Sequence, residues 1–268
     1  MNKKKTIFSR RSFLLGAGAG LPLAAVSMSA AHGNAPHFPP VKEVPDLAVI
    51  KGLLAKKEPN VWLFTGDSIT HGAKHTEGYR SYPEIFEERM RWELARTRDW
   101  VINTGISSQT TRMILDDFDW RIAKFNPSVV SIMIGTNDCA KADLPVPVYE
   151  QNLKTFVDKV RALGAVPVLH TPNPIILRLS DERKTLPEYI PAIRRVAEGL
   201  QTILVDNYAY WEDRQKRYFN DVYRQWLNDR LHPNFRGHQQ IARLMFRVLG
   251  IFDPEHPTCN GEYYEGEH

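Results

Sequence analysis

At 268 residues, with 43% hydrophobic and 25% charged side chains, the chain can bury one sizeable core, and without a leader it suits one domain better than two. Its formal charge of +4 and pI near 9.0 suggest an acidic partner. However, Lys3, Lys4, Lys5, Arg10 and Arg11 fall in residues 1–31, which carry no acid, and +4 less these five leaves a body of −1. No basic stripe interleaved with aromatics runs through that body, which argues against nucleic acid.

Residues 1–31 have three parts: a basic start, an apolar Gly/Ala-rich run over 13–26, and small residues up to Ala31. This is the layout of a cleaved export signal. Arg10 and Arg11, just before Phe13-Leu14-Leu15, resemble a twin-arginine signal, which implies passage of the folded protein through the Tat translocon. An ordinary secretory signal and a retained anchor are the alternatives. The apolar run is short for a span of roughly 20 residues, so cleavage near Ala31 is expected, with the mature protein periplasmic or secreted. No later stretch is apolar enough to cross a membrane. Residues 32–48, with Pro36, Pro39, Pro40 and Pro45, read as an extended linker or arm.

The domain proper is expected over 49–252. Strand-like apolar runs at 61–64, 100–103, 128–134, 165–170 and 202–205 alternate with helical patterns. The pattern over 82–98 opens with Pro83 in a first turn, where its missing N–H costs nothing. Leu153, Phe156, Val157 and Val160 form an i, i+3, i+4, i+7 stripe, as do Ile241, Leu244, Met245 and Val248. Both stripes read as core faces. Five strands alternating with helices predict an α/β fold, a parallel sheet covered on both faces. Residues 253–268 are expected to form a surface tail. Cys139 and Cys259 are the two cysteines, and an oxidising compartment permits a bridge that the sequence cannot place.

Chemistry concentrates at four points. Gly66-Asp67-Ser68 follows the first strand, putting a hydroxyl at the carboxyl end of a central strand, where open parallel sheets have their ligand crevice. Asn103-Thr104-Gly105 follows the second strand and Gly135-Thr136-Asn137-Asp138 the third. Asp229-Arg230-Leu231-His232-Pro233-Asn234 precedes the last helix. A serine hydroxyl is a poor nucleophile until a base takes its proton, and a neutral imidazole suits that task. An aspartate three residues before the histidine can reach the second ring nitrogen and stabilise the imidazolium. Donors aimed at the developing oxyanion contribute roughly 3–4 kcal/mol apiece, judged by removal.

Each residue also has a plainer reading. Gly105 is either a donor that substrate approaches closely or a turn residue. Asn137 and Asp138 suit helix caps, Asp229 and His232 a local ion pair, and Asn234 a cap for the last helix. His71 and His75 have a zinc-like interval of four. Gly72 lies between them and no third ligand is apparent, so no metal is expected. His170, ending the fourth strand, points at the crevice edge or is a satisfied core histidine.

In this order and at these strand ends, the four motifs resemble the SGNH, or GDSL, hydrolase superfamily over about residues 60–249. The resemblance implies a flavodoxin-like three-layer α/β/α sandwich around a five-stranded parallel sheet. It makes Ser68 the nucleophile, His232 the base and Asp229 its orienter, with the Ser68 amide, the Gly105 amide and the Asn137 side chain as oxyanion donors. Some relatives do without the aspartate. The implied activity is cofactor-free hydrolysis of carboxylic esters through an acyl-enzyme. Export and the lack of a long apolar lid favour O-acetyl groups on a carbohydrate. Asp67, Arg80 and His170 are candidate substrate contacts, with His75 and Tyr79 beside Arg80 in residues 74–82; Arg80 also suits a surface charge at a helix start. The alternatives are a lysophospholipase or short-chain lipid esterase, a thioesterase, and a catalytically silent glycan-binding protein. The chain has no G-x-S-x-G elbow, no identifiable carboxylate pair for glycoside cleavage and no phosphate-cradling loop.

Overall fold

A computed structural model describes residues 38–217 and 222–260. The export signal, residues 32–37 of the arm and residues 261–268 of the tail lie outside the described residues. In chain order the helices are α1 (Pro45–Ala55), α2 (Ser68–His71), α3 (Tyr82–Glu88), α4 (Thr111–Asp116), α5 (Phe118–Arg121), α6 (Val146–Ala162), α7 (Leu186–Gly199), α8 (Asn207–Arg217) and α9 (Phe235–Leu249). The five apolar runs form β1 (Val61–Gly66), β2 (Trp100–Asn103), β3 (Val129–Met133), β4 (Val166–His170) and β5 (Ile203–Val205), all parallel, in the order β2-β1-β3-β4-β5.

The strands read as apolar strings because both faces of the sheet are covered. Trp62 and Phe64 join one core with α1, α3 and α9, while Leu63 between them joins another with α4, α6 and α7, as a side-chain period of two requires. The stripes on α6 and α9 are buried in these two cores. β1 pairs with β2 on one side and β3 on the other, in register Val61↔Trp100 and Trp62↔Val129. The chain therefore reverses direction across the sheet after β2. The loops following β1 and β3 part there, opening a crevice at the carboxyl ends of the strands.

Three boundaries differ from expectation. The arm does not stay extended to residue 48: α1 starts at Pro45, in the first turn that tolerates proline, and buries Leu47 and Ile50. Before it, Phe38 stacks on Tyr210 at 5.4 Å and meets Phe252 at 5.3 Å. The helical pattern over 82–98 ends early, as α3 passes into a π-turn over Arg89–Glu93. The start of the tail is docked rather than free. Buried Arg89 donates to the Ile251 carbonyl at 2.9 and 2.7 Å, and Glu93 accepts from the Thr258 amide and hydroxyl at 2.9 and 2.5 Å. Cys139 and Cys259 are free thiols buried in different cores. Among the described residues no helix is long and apolar enough to cross a membrane.

Candidate active site

β1 runs into the crevice and stops at Gly66, where a Cβ would lie 2.3 Å from the Met133 carbonyl of β3. Only glycine lets the strands pack so closely at this point. Asp67, 1% exposed, then caps α2 by accepting from the Ile69 amide at 3.0 Å. Burial pushes its carboxyl up to about 7, aided by Asp138 and opposed by the Ile69 amide and Arg183. Ser68 is the first residue of α2, where an amide has no acceptor within the helix. Its half-buried Oγ lies 2.9 Å from Nε2 of His232.

His232 sits on an irregular segment between Trp226 and α9. Leu227 and Pro233 form an isolated antiparallel bridge, and the Asn228 amide donates to the His232 carbonyl at 2.9 Å. Inside this loop Oδ1 of Asp229 accepts from the amides of Leu231 and His232, both at 2.7 Å, as in an Asx turn. Its Oδ2 is 2.9 Å from Nδ1 of His232. A carboxylate only accepts, so Nδ1 carries the hydrogen and Nε2 presents its lone pair to Ser68. Burial lowers the His232 pKa below the ordinary imidazole value, His75 and Arg183 act the same way, and Asp229 opposes them. For Asp229, burial favours the neutral acid, but the His232 amide and ring and the Leu231 amide overcome it and hold the carboxyl low.

His75 stacks on His232 with ring centroids 3.6 Å apart and planes 3° from parallel. Its Nδ1 is 3.3 Å from Oδ1 of Asn228 and 3.6 Å from Oδ2 of Asp229. The zinc-like pairing of His71 with His75 is not formed, since His71 contacts the Ser107 hydroxyl at 3.2 Å. Among the described residues His75, Asp229 and His232 are close enough to share an ion. Both nitrogens of His232 already have partners, so coordination there would break the contact to Ser68 or to Asp229.

The opposite wall comes from the loops after β2 and β3. Nδ2 of Asn137 donates to the Gln109 carbonyl at 3.1 Å, and its Oδ1 accepts from Nη2 of Arg183 at 3.0 Å. Of its two readings, Gly105 has the contacts of a turn residue. Its amide donates to Oδ1 of Asn103 at 2.9 Å, while Nδ2 of Asn103 holds the Thr70 carbonyl at 2.8 Å. A Cβ on Gly105 would lie 2.5 Å from the His71 amide nitrogen, so the group that glycine admits here is the backbone of α2. The following turn closes from the Gln109 amide to the Ile106 carbonyl at 3.4 Å and holds Ser108 at φ 67°. A left-handed conformation is uncommon for serine and marks stored strain.

Arg121, fully buried on α5, braces these loops from below. Its Nη2 donates to the carbonyls of Gly66 and Thr104 at 3.2 and 2.7 Å and to the Thr65 hydroxyl at 3.2 Å. Its Nη1 reaches Oε1 of Gln109 at 2.9 Å. Asp138 ties the β3 loop to α4, accepting from the Thr111 amide and hydroxyl at 2.9 and 2.6 Å.

The model of the GDSL-like lipase/acylhydrolase family matches residues 64–240, from β1 into α9. The chain belongs to that family. It is an ester hydrolase. The acetylxylan esterase of Geobacillus stearothermophilus is 29% identical over 207 residues, covering 70% of this chain and 93% of that protein. An uncharacterized protein of Mycoplasma pneumoniae is 34% identical over 137 residues, which span 50% of this chain but 14% of that much longer one. Among solved structures, a mutant of Axe2, an acetyl-xylooligosaccharide esterase from Geobacillus, matches with a TM-score of 0.60 and 26% identity, covering 73% of this chain and 97% of that one. Three further Axe2 structures, altered at a serine, a histidine and an aspartate, are of catalytic mutants.

In this GDSL esterase the three candidate substrate contacts have structural partners. His170 is 2% exposed, bonded through Nε2 to the Ser131 hydroxyl at 2.9 Å and approached by Nδ2 of Asn207 at 3.4 Å. Burial pushes its pKa down to about 3, so it is a neutral core histidine and not a wall of the crevice. Arg80, at the start of α3, pairs with Glu88 at 3.3 Å and lines a groove with Glu84, Glu87 and Trp92, which fits its reading as a helix-start charge. Asp67 is committed to capping α2. The residues that the sequence reading missed, Arg121 and Arg183, belong to no motif. His75, which the sequence offers as half of a zinc-like pair or as a pocket residue beside Arg80, stacks instead on the base.

Proposed function

We propose that this GDSL esterase removes O-acetyl groups from a carbohydrate by acyl transfer through Ser68. The observation that carries the reading is the line from Ser68 Oγ to His232 Nε2 at 2.9 Å and from His232 Nδ1 to Asp229 Oδ2 at 2.9 Å. As the Ser68 oxygen attacks the ester carbonyl, its proton passes to Nε2, and Asp229 stabilises the imidazolium. Negative charge grows on the carbonyl oxygen, where the Ser68 amide and Nδ2 of Asn137 are the donors. The Gly105 amide is bonded to Asn103, and in the turn that follows the Ile106 and Gln109 amides go to the Gly66 and Ile106 carbonyls, so the third donor falls to Ser107 or strained Ser108. Collapse of the intermediate expels the sugar oxygen, which takes the proton from His232. A water then gives its proton to His232 and attacks the acetyl-serine, and as acetate leaves, His232 returns that proton to the Ser68 oxygen.

The substrate class is supported by the acetylated xylan oligosaccharides in the names of the relatives and by the polar side chains around Ser68. The catalytic serine, histidine and aspartate of Axe2 support the triad. Export through the Tat translocon, to the periplasm or beyond, rests on residues 1–31. The test is acetate release from acetylated xylooligosaccharides, with a nitrophenyl ester series alongside. Acetate is expected as the preferred acyl group, with a fluorophosphonate labelling Ser68. A preference for acyl chains above six carbons would replace this reading with a lipid esterase. Glycan binding without turnover, unchanged in Ser68→Ala, would replace it with a silent binding protein.

A further inference from the structure

We propose that Arg183 is a positioning residue that fixes which end of the Asn137 amide faces the reacting ester. This rests on the reading of Asn137 as an oxyanion donor. An asparagine amide has two ends of nearly equal shape and opposite polarity, so a half-turn about its last torsion exchanges a donor for an acceptor. Turned the wrong way, it would set its oxygen against the developing negative charge. A guanidinium has five N–H donors and no acceptor. The Asn137 atom 3.0 Å from Nη2 of Arg183 is therefore the oxygen, and the nitrogen is held at the other end. One N–H of that nitrogen goes to the Gln109 carbonyl at 3.1 Å, and a primary amide has a second to offer.

The arginine is itself held. Its Nε donates to the Thr136 carbonyl, one residue before Asn137, at 3.0 Å, so the same planar fork grips backbone and side chain. Nη1 pairs with Oε1 of Glu182 at 2.5 Å, and that oxygen also accepts from Nη2 of Arg230 at 3.0 Å. Arg230 lies two residues before His232, so one carboxylate connects the oxyanion wall to the base loop. The Arg183 side chain is 19% exposed, and its bonds to Thr136 and Asn137 are partly buried, whereas the Glu182 and Arg230 ends of the chain face solvent. Its charge also favours ionised Asp67 and disfavours charged His232, placing it electrically close to both.

The experiment is a double-mutant cycle on the full chain with nitrophenyl acetate, reading kcat and KM separately. Arg183→Met keeps a long stem without donors. It is expected to lower kcat about tenfold or more with KM within about twofold, against about a hundredfold for Asn137→Ala. The double variant is expected to be no slower than Asn137→Ala alone, because the arginine acts through that amide. A wild-type kcat in Arg183→Met, a loss confined to KM, or losses that multiply in the double variant would overturn the inference. A wild-type kcat in Asn137→Ala would instead remove the oxyanion reading, and this inference with it. Should Arg183→Met fail to fold, Arg183→Lys carries the test. A single ammonium cannot grip the Thr136 carbonyl and Asn137 together, so kcat is expected to fall about threefold or more, and an undiminished kcat there overturns the proposal.

Discussion

The two sides of the crevice are held by different kinds of structure. On the nucleophile side, Ser68 follows directly from a central strand. Gly66 packs against β3, Asp67 caps α2 from a buried position, and Arg121 binds the carbonyls of Gly66 and Thr104 from beneath. On the base side, His232 lies on a partly exposed segment held mainly by its own Asx turn. Tethers join that segment to the stretch after β4: Asn173 Nδ2 to the Leu231 carbonyl at 3.2 Å, the Ile176 amide to the Arg230 carbonyl at 2.8 Å, and Arg230 to the Leu179 carbonyl and to Glu182. The hydroxyl is thus fixed by the core and the imidazole by local hydrogen bonds and a stacked ring. Damage to the first side should cost stability and activity together. Damage to the second should cost activity with little loss of stability.

The largest effects expected are in turnover. Ser68→Ala and His232→Ala should each lower kcat/KM by about 1,000-fold or more, while Asp229→Asn should lose about tenfold to a hundredfold less than either. The Asp229 position keeps an acceptor for the loop amides after that change, which is why its loss is smaller. Equal, mild losses in all three variants, measured on nitrophenyl acetate, would count against the triad.

Next comes the brace. Arg121→Met leaves the Thr104 carbonyl without its guanidinium donor and the Gly66 carbonyl with the Ile106 amide alone, and an unsatisfied buried group costs about 1–3 kcal/mol. Both the thermal midpoint and kcat should fall, whereas His232→Ala should leave the midpoint nearly unchanged. An Arg121→Met protein with normal stability and low kcat would erase the contrast between the two sides.

The smallest effect is a shift in pH dependence. Asp229, His75 and Arg183 all act on His232, and the positive charge that His75 gains on protonation disfavours the imidazolium. His75→Phe keeps an aromatic face against the ring and removes that charge, so the His232 pKa should rise. The base is active when neutral. The acid limb of kcat/KM should therefore move to higher pH, lowering activity along that limb and sparing the plateau. A limb that stays in place would reduce His75 to a packing role.

Much of this architecture is legible in the chain because its signals are short-range. Each strand is buried on both faces and so reads as an apolar run. Ser68, Asn137, Asp229 and His232 stand in compact motifs whose residue types suit the chemistry. Arg121 and Arg183 have no local mark, being arginines in an ordinary helix and an ordinary loop. Gly105 is visibly a glycine in a turn, but only the packed fold shows that α2, rather than a substrate, comes close to it. His170 could face either way at a strand end. Pleat parity with Val166 and Val168 turns it inward, onto Ser131.

The sequence alone thus determined the alternation of strands and helices, and the chemical kinds of group available at their ends. Periodicity and turn chemistry act over a few residues, which is as far as such reasoning reaches. Tertiary structure decided which groups meet: Ser68 with His232 across 164 positions, Arg183 with Asn137 across 46, and Arg121 with Gly66 across 55. Those meetings depend on strand order, crossover and pleat, and none of the three is written in the residues on either side of a contact.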